Sequence, residues 1–275
     1  MSKVRVIAEA GCNHGGDRTA IEKMVIAAAD AGADFIKFQL YQADRLVGAD
    51  PEVVRWCRQC QLDEDLCKAI IALGLIHSIQ PLFSVFDSPS LQLACKLEMP
   101  IIKVPSGQAF NPDLLREIGA TRKKIFLSIG MCTTIDYIMA TKYLVEGGAA
   151  KENITIFQCN TAYPSPLRDA HLRTITMIKN LGWAAGYSDH TRGSLCAIGA
   201  VCMGAEIIEK HFTLDKTGPG PDQCVSLDPK ELKYYIRDIN DIQEALGDRM
   251  IQVTPSEAPM LKRRDYGNSA PQKNT

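Results

Sequence analysis

Short apolar, β-branched runs recur along the chain at 4–10, 35–40, 81–86, 101–105, 124–129, 153–159, 183–188 and 206–212. Each is bounded by Gly, Pro or polar residues, the pattern of strands buried on both faces. Between the runs, apolar positions return at helical spacing. A helix through Ala20–Ala28 is expected to stop at Gly32, a residue suited to a left-handed C-cap. Another is expected over 66–75, behind Asp63-Glu64-Asp65, whose charges favour a helix N-terminus. Further helices are expected near 88–97, 112–119, 134–147, 169–181, 193–204 and 229–247. The last opens on Asp228-Pro229, a cap followed by Pro at the first helical position.

Eight strand–helix units in about 250 residues match the size and period of an α/β fold of the (β/α)8 TIM-barrel type. A doubly wound open sheet is the competitor. However, the glycines after the first strand read Gly11-Cys12-Asn13-His14-Gly15-Gly16, which is not a dinucleotide-binding fingerprint. One barrel domain is expected over 1–250. Over 251–275 the alternation stops, and the segment is polar and Pro-rich, so an extended or poorly ordered tail is expected there.

Composition narrows the function. Apolar residues make up 46% and charged residues 23% of the 275, as in an ordinary globular chain with a sizeable core. A net charge of -1 gives no field that would attract nucleic acid or an anionic membrane, so an anionic ligand must be held by local cations. No apolar run reaches the roughly 18–20 residues of a membrane span. The N-terminus shows no secretory h-region, so the cytoplasm is the expected location. The ten cysteines are scattered and are expected to be reduced thiols. Cys57-Arg58-Gln59-Cys60 has no second pair to complete a zinc site, and reads as small residues packing a helix.

In a barrel, polar residues at the C-terminal ends of strands are poorly explained by packing. Here Glu9, Lys37, Gln39, Ser84, Lys103, Ser106 and Gln108 fall at the ends of the first four strands. Asn160, Thr161 and Tyr163 follow the sixth, Ser188, Asp189 and His190 end the seventh, and Glu209, Lys210 and His211 end the eighth. His190 and His211 stand out, because neutral imidazole is the commonest side-chain metal ligand and both end apolar runs. They read either as a divalent metal pair or as two satisfied barrel histidines. Lys37 and Lys103 lie inside apolar runs, where a buried ammonium needs an anionic partner. A salt bridge to Glu9 or Glu209 is one reading; an imine-forming lysine or a clamp on phosphate or carboxylate are others. With Ser84, Ser106 and Ser188 nearby, the clamp is favoured over an imine. His14 could cap backbone or line the mouth, while His77 and His171 read as helix-surface residues.

At these residues the chain resembles the sialic acid synthase family, enzymes that condense phosphoenolpyruvate with an N-acetylated hexosamine. The resemblance rests on Ile7-Ala8-Glu9-Ala10-Gly11-Cys12-Asn13-His14-Gly15-Gly16, Ala31-Gly32-Ala33-Asp34-Phe35-Ile36-Lys37-Phe38-Gln39 and Lys103-Val104-Pro105-Ser106-Gly107. It continues through Gln158-Cys159-Asn160-Thr161-Ala162-Tyr163-Pro164-Ser165-Pro166, Gly186-Tyr187-Ser188-Asp189-His190-Thr191, Glu209-Lys210-His211-Phe212-Thr213 and Gly218-Pro219-Gly220-Pro221-Asp222. It implies that His190 and His211 hold manganese or magnesium. It further implies that Lys37, Ser84, Lys103, Ser106 and Ser188 hold phosphoenolpyruvate, and that Gln39, Tyr163 and Asp222 face the amino-sugar aldehyde. Glu9 and Glu209 match acidic residues at the reacting centre. Gln108, at a position associated with sugar hydroxyls, stands where many members carry Glu, and Thr161 where Asn or Ser is common. The family's C-terminal antifreeze-like domain, which gives an arginine to a dimer partner's sugar site, has no counterpart here. A homodimer, or a separate partner supplying that domain, is therefore an expectation. Beside a sialic-type nonulosonic acid synthase stand two other readings. One is a 3-deoxy-ald-2-ulosonate synthase with another aldehyde, the other a non-catalytic ligand-binding barrel acting with a partner.

Overall fold

The eight apolar runs are the eight strands of a closed parallel barrel in sequential order. The structure is a computed structural model that describes residues 3–46, 50–248 and 250–264. The strands are β1 (Arg5–Gly11), β2 (Phe35–Leu40), β3 (Gln80–Val85), β4 (Ile101–Val104), β5 (Lys124–Ser128), β6 (Ile154–Cys159), β7 (Ala184–Asp189) and β8 (Ile207–His211). Helices α1 (Arg18–Ala31), α2 (Pro51–Cys60), α3 (Glu64–Ile76), α4 (Ser88–Lys96), α5 (Pro112–Ala120), α6 (Thr134–Gly147), α7 (Arg173–Asn180), α8 (Leu195–Cys202) and α9 (Pro229–Ala245) lie between and after them.

Local signals set the helix ends. Gly32 closes α1 at φ 91°, a left-handed conformation that costs glycine little. Asp63 accepts a hydrogen bond from Leu66 N at the start of α3. Asp228 and Glu231 form a reciprocal capping box on α9, with Pro229 in the first turn. Such caps contribute about 1 kcal/mol each.

Residues two apart on a strand share a face, so the barrel interior is built in layers. The lowest is apolar: Ile7, Phe35, Leu82, Ile101, Phe126, Phe157 and Ile207 form one buried cluster. Gly186 leaves room in it for Phe157, because a Cβ there would fall 2.9 Å from that ring. This plug closes the barrel floor. The outer faces of the strands pack with the helices into the main core, which includes Ile36, Phe83, Ile156 and Leu232.

The structure adds one helix to the sequence reading and moves one histidine off a helix. Helix α2 is not visible as an apolar stripe, since only Cys57 and Cys60 are buried on it. Those two thiols pack with Cys12, Tyr41 and Ala43, as helix-packing residues. His171 lies in a turn at φ 47° ahead of α7, not on a helix, because the segment 167–169 forms a separate 3-10 turn. Residues 251–264 are exposed and hold a short 3-10 turn, Ala258–Arg263, while the rest of the expected tail, 265–275, lies outside the described residues. Among the described residues no helix is long and apolar enough to cross a membrane.

Candidate active site

One step above the apolar plug, the inward positions become polar. Glu9 on β1, Lys37 on β2, Ser84 on β3 and Lys103 on β4 line a cavity of about 260 Å3. Ser128 on β5, Cys159 on β6, Ser188 on β7 and Glu209 on β8 complete the ring. A second step up come Gln39, Thr161, His190 and His211, with Ser106, Tyr163 and Asp222 from the loops. Alternation along parallel strands thus puts charge at the mouth of a barrel whose base is hydrocarbon.

The charges form a connected set. Lys37 Nζ lies 3.1 Å from Glu9 Oε2 and 3.4 Å from Glu209 Oε1. Burial acts to depress the Lys37 ammonium, but Glu209 and Glu9 outweigh it and its pKa is raised. Lys103 donates to Ser128 Oγ and reaches Glu209 Oε2 only at 3.9 Å. With that weaker compensation, burial brings its pKa down to about 8. Glu209 is also buried, which alone would raise its pKa, yet Lys103 and Lys37 hold it down to about 2. Ser188 Oγ donates to Glu209 Oε1 at 3.0 Å, and Gln39 Nε2 to Glu9 Oε1 at 3.2 Å. The salt-bridge reading of the lysines therefore holds, and leaves Lys103 the less neutralised cation.

The two imidazoles sit over this layer with ring centroids 5.2 Å apart. Tyr163 lies against both, 4.2 Å from the His190 ring and edge-on to His211 at 5.5 Å. His190 Nδ1 faces the carbonyl of Asn160, so the neutral tautomer that donates there leaves Nε2 with its lone pair. Burial, then the neighbouring His211, lowers the His190 pKa to about 3, and the ring is neutral near pH 7. His211 Nδ1 is buried without a hydrogen-bond partner among the described residues, and its nearest carboxylate oxygen is Asp222 Oδ2 at 3.6 Å. An orphaned ring nitrogen beside a carboxylate and the neutral imidazole of His190 is a donor set that fits a divalent cation. Among the described residues no three His, Cys, Asp or Glu side chains converge into a ready-made metal cage. Two imidazoles would thus be the protein's main contribution, leaving positions for water and substrate.

Asp222 is brought in by the loop after β8. Asn13 Nδ2 donates to Phe212 O and to Ser226 Oγ, both at 2.9 Å, and Gln223 Nε2 donates to Asn13 O at 3.0 Å. These bonds join the β1 and β8 loops and set Asp222 above Gly11. On the opposite side Ser106 Oγ accepts from Gly130 N at 3.0 Å. A Cβ at Gly130 would fall 2.7 Å from that oxygen, so the close approach requires glycine.

The model of the NeuB family matches residues 24–250. The chain belongs to the NeuB family. It is 38% identical over 272 residues to N,N'-diacetyllegionaminic acid synthase of Campylobacter jejuni, covering 94% of this chain and 81% of that protein. It is 30% identical over 281 residues to pseudaminic acid synthase of Helicobacter pylori, covering 96% of this chain and 81% of that one. A crystal structure of the N-acetylneuraminic acid (sialic acid) synthetase of Leptospira borgpetersenii in complex with citrate superimposes with a TM-score of 0.89. That pair is 30% identical, covering 99% of this chain and 94% of the other. The expected barrel and the expected family are therefore both found, and the chain is an enzyme of the type its synthase relatives represent.

Within this NeuB-family barrel, most residues expected at the site meet in the one chamber. Gln108 does not. It lies with Asn111, Arg45 and Asp87 in an adjoining cleft of about 810 Å3, which shares Gln39 and Phe86 with the chamber. Its Oε1 accepts from Asn111 Nδ2 at 3.1 Å. Asp189 and Lys210 also differ from expectation. As neighbours of inward residues they point outward, away from the mouth, and pair with each other at 3.0 Å. His14 caps backbone, accepting from Gly16 N at 3.1 Å, and burial lowers its pKa to about 4. Ser128 and Cys159 were not expected. Counting two residues on from Phe126 and Phe157 would have found both.

Proposed function

We propose that this enzyme condenses phosphoenolpyruvate with an N-acylated hexosamine of the N-acetylmannosamine type and water, releasing phosphate and a sialic-type nonulosonic acid. The observation that carries the reading is the vertical order of the chamber. Two lysines and several hydroxyls lie at its closed end, and two imidazoles with Asp222 lie at its open end. The first set suits a compact, highly charged enol phosphate, the second a cation facing an aldehyde.

In this reading Lys37 and Lys103 neutralise the phosphate and carboxylate, with Ser84, Ser106 and Ser188 as hydrogen-bonding partners. An entering anion gains most from Lys103, whose ammonium has the weaker counter-charge in the free enzyme. His190 and His211 would hold Mn2+ or Mg2+, which supplies Lewis acidity at the acceptor aldehyde. Gln39, Thr161, Tyr163 and Asp222 orient the sugar so that its aldehyde carbon meets C3 of phosphoenolpyruvate. Positive charge then develops at C2, and Glu9 and Glu209 stabilise it, Glu209 being held ionised by Lys103 and Lys37. Water adds at C2, and the tetrahedral centre expels phosphate by cleavage of its C–O bond. Gln108 contacts the acceptor from the adjoining cleft.

The test is an isotope experiment with Mn2+, N-acetylmannosamine and phosphoenolpyruvate carrying 18O in the bridging C–O–P oxygen. Labelled phosphate and a sugar bearing the added three-carbon unit are expected. Unlabelled phosphate, or no sugar adduct with any N-acyl hexosamine, overturns the reading. Uncharged Gln108 favours a second reading, condensation with an aldehyde of another class; a panel of aldoses lacking an N-acyl group separates the two.

A further inference from the structure

Directly behind the histidine pair lies a buried ionic network that the chemistry above does not use. Asp189 and Lys210 are the last paired residues of the β7–β8 ladder, and each is 1% exposed. Lys210 Nζ donates to Asp189 Oδ2 at 3.0 Å and to the carbonyl of Thr191. Tyr235, reaching in from α9, donates its hydroxyl to the same Asp189 oxygen at 2.8 Å. The other carboxylate oxygen accepts from Thr191 N at 2.9 Å and Thr191 Oγ1 at 2.7 Å. Both oxygens of Asp189 are thus doubly satisfied.

Burying such a pair is not an efficient route to stability, because well-packed apolar residues of similar volume are often as good or better. A fully satisfied network does something an apolar pair does not: it fixes direction and register. Its location says what is being fixed. Asp189 and Thr191 flank His190 on both sides, and Lys210 immediately precedes His211. Alternation turns the network outward and the two imidazoles inward from the same stretch of backbone.

We infer that Lys210, Asp189 and Tyr235 are positioning residues that set the separation and aim of His190 and His211. The inference rests on the metal role given to that pair above. The network ties the two strand ends together across the ladder and anchors them to α9, so the imidazoles are held at their spacing before any cation arrives. Neither lysine of the anion end belongs to the network, so its loss separates metal binding from phosphoenolpyruvate binding.

The experiment compares the wild-type chain with Tyr235→Phe and with the double variant Asp189→Asn/Lys210→Met, which removes both charges and leaves no unpaired ion. Mn2+ affinity is measured by calorimetry, phosphoenolpyruvate affinity without metal, and folding by thermal melting. The double variant is expected to fold and to bind Mn2+ about 10–100-fold more weakly, with phosphoenolpyruvate affinity unchanged. A folded double variant with wild-type Mn2+ affinity overturns the inference. If the double variant does not fold, Tyr235→Phe decides on the same terms. If the wild-type chain takes up no Mn2+, the metal role fails by itself. Positioning is then read from the imidazole 15N–1H resonances of His190 and His211 in Tyr235→Phe: displacement supports it, and unchanged resonances overturn it.

Discussion

Lys103 Nζ stands 3.9 Å from Glu209 Oε2, at the edge of ion-pair contact. Lys37, by contrast, is held between Glu9 and Glu209 at 3.1 and 3.4 Å. The chamber therefore presents one lysine already committed to carboxylates and one available to an incoming anion. Lys103→Met should accordingly weaken phosphoenolpyruvate binding by about 10–150-fold, the worth of one hydrogen bond to a charged group. Steady-state kinetics would show the loss mainly in KM; an unchanged apparent affinity would remove Lys103 from the anion site.

The pH dependence follows from the same residue. In the free enzyme the Lys103 ammonium, with a pKa of about 8, is present below that pH and lost above it. kcat/KM for phosphoenolpyruvate should fall above pH 8, and Lys103→Arg should move that limb to higher pH. Stability runs in the opposite direction. Because the folded pKa lies below the ordinary 10.5, the unfolded chain binds more protons between about 8 and 10.5, so this residue's contribution to stability rises across that window. The melting temperature of wild type relative to Lys103→Met, followed through the window, checks the sign.

His190→Ala or His211→Ala should abolish metal-dependent turnover while the barrel still melts cooperatively. Neither side chain belongs to the apolar plug or the main core. Full metal-dependent turnover in either variant would refute the ligand assignment.

Gly186→Ala should destabilise the barrel by about 1–3 kcal/mol through overpacking, since the new methyl would meet the Phe157 ring at 2.9 Å. Adding Phe157→Leu should recover part of the loss. Chemical denaturation of the single and double variants would show it, and additive losses would mean that the two sites do not share that space.

The periodicity of the chain made the barrel legible, because strands buried on both faces must be short apolar runs and their spacing leaves room for at least one helix after each. The same arithmetic exposed most of the chamber, where lysine, glutamate and histidine interrupt those runs. It failed where chemistry was less conspicuous. Ser128 and Cys159 are residues that packing alone tolerates, so nothing marked them until the layer was counted around the barrel. Asp189 and Lys210 were grouped with the mouth because they are charged and at strand ends, although their parity on the strand turns them outward. Helix α2 escaped because its buried face is made of two cysteines rather than an apolar stripe. The place of Gln108 depends on the 3-10 turn Ser106–Gln108, which the strand pattern does not encode.

That turn gives a further prediction. Gln108 lies outside the chamber and bonds to Asn111, so Gln108→Ala should raise the acceptor's KM several-fold and leave phosphoenolpyruvate and Mn2+ affinities unchanged. A change confined to phosphoenolpyruvate affinity would mean that the acceptor does not extend into the adjoining cleft.

The most direct test of the account is phosphate release measured while each component is omitted in turn. Release is predicted only when phosphoenolpyruvate, an N-acyl hexosamine and Mn2+ or Mg2+ are all present. Release from phosphoenolpyruvate without an acceptor, or none with any N-acyl hexosamine in the presence of metal, would contradict it.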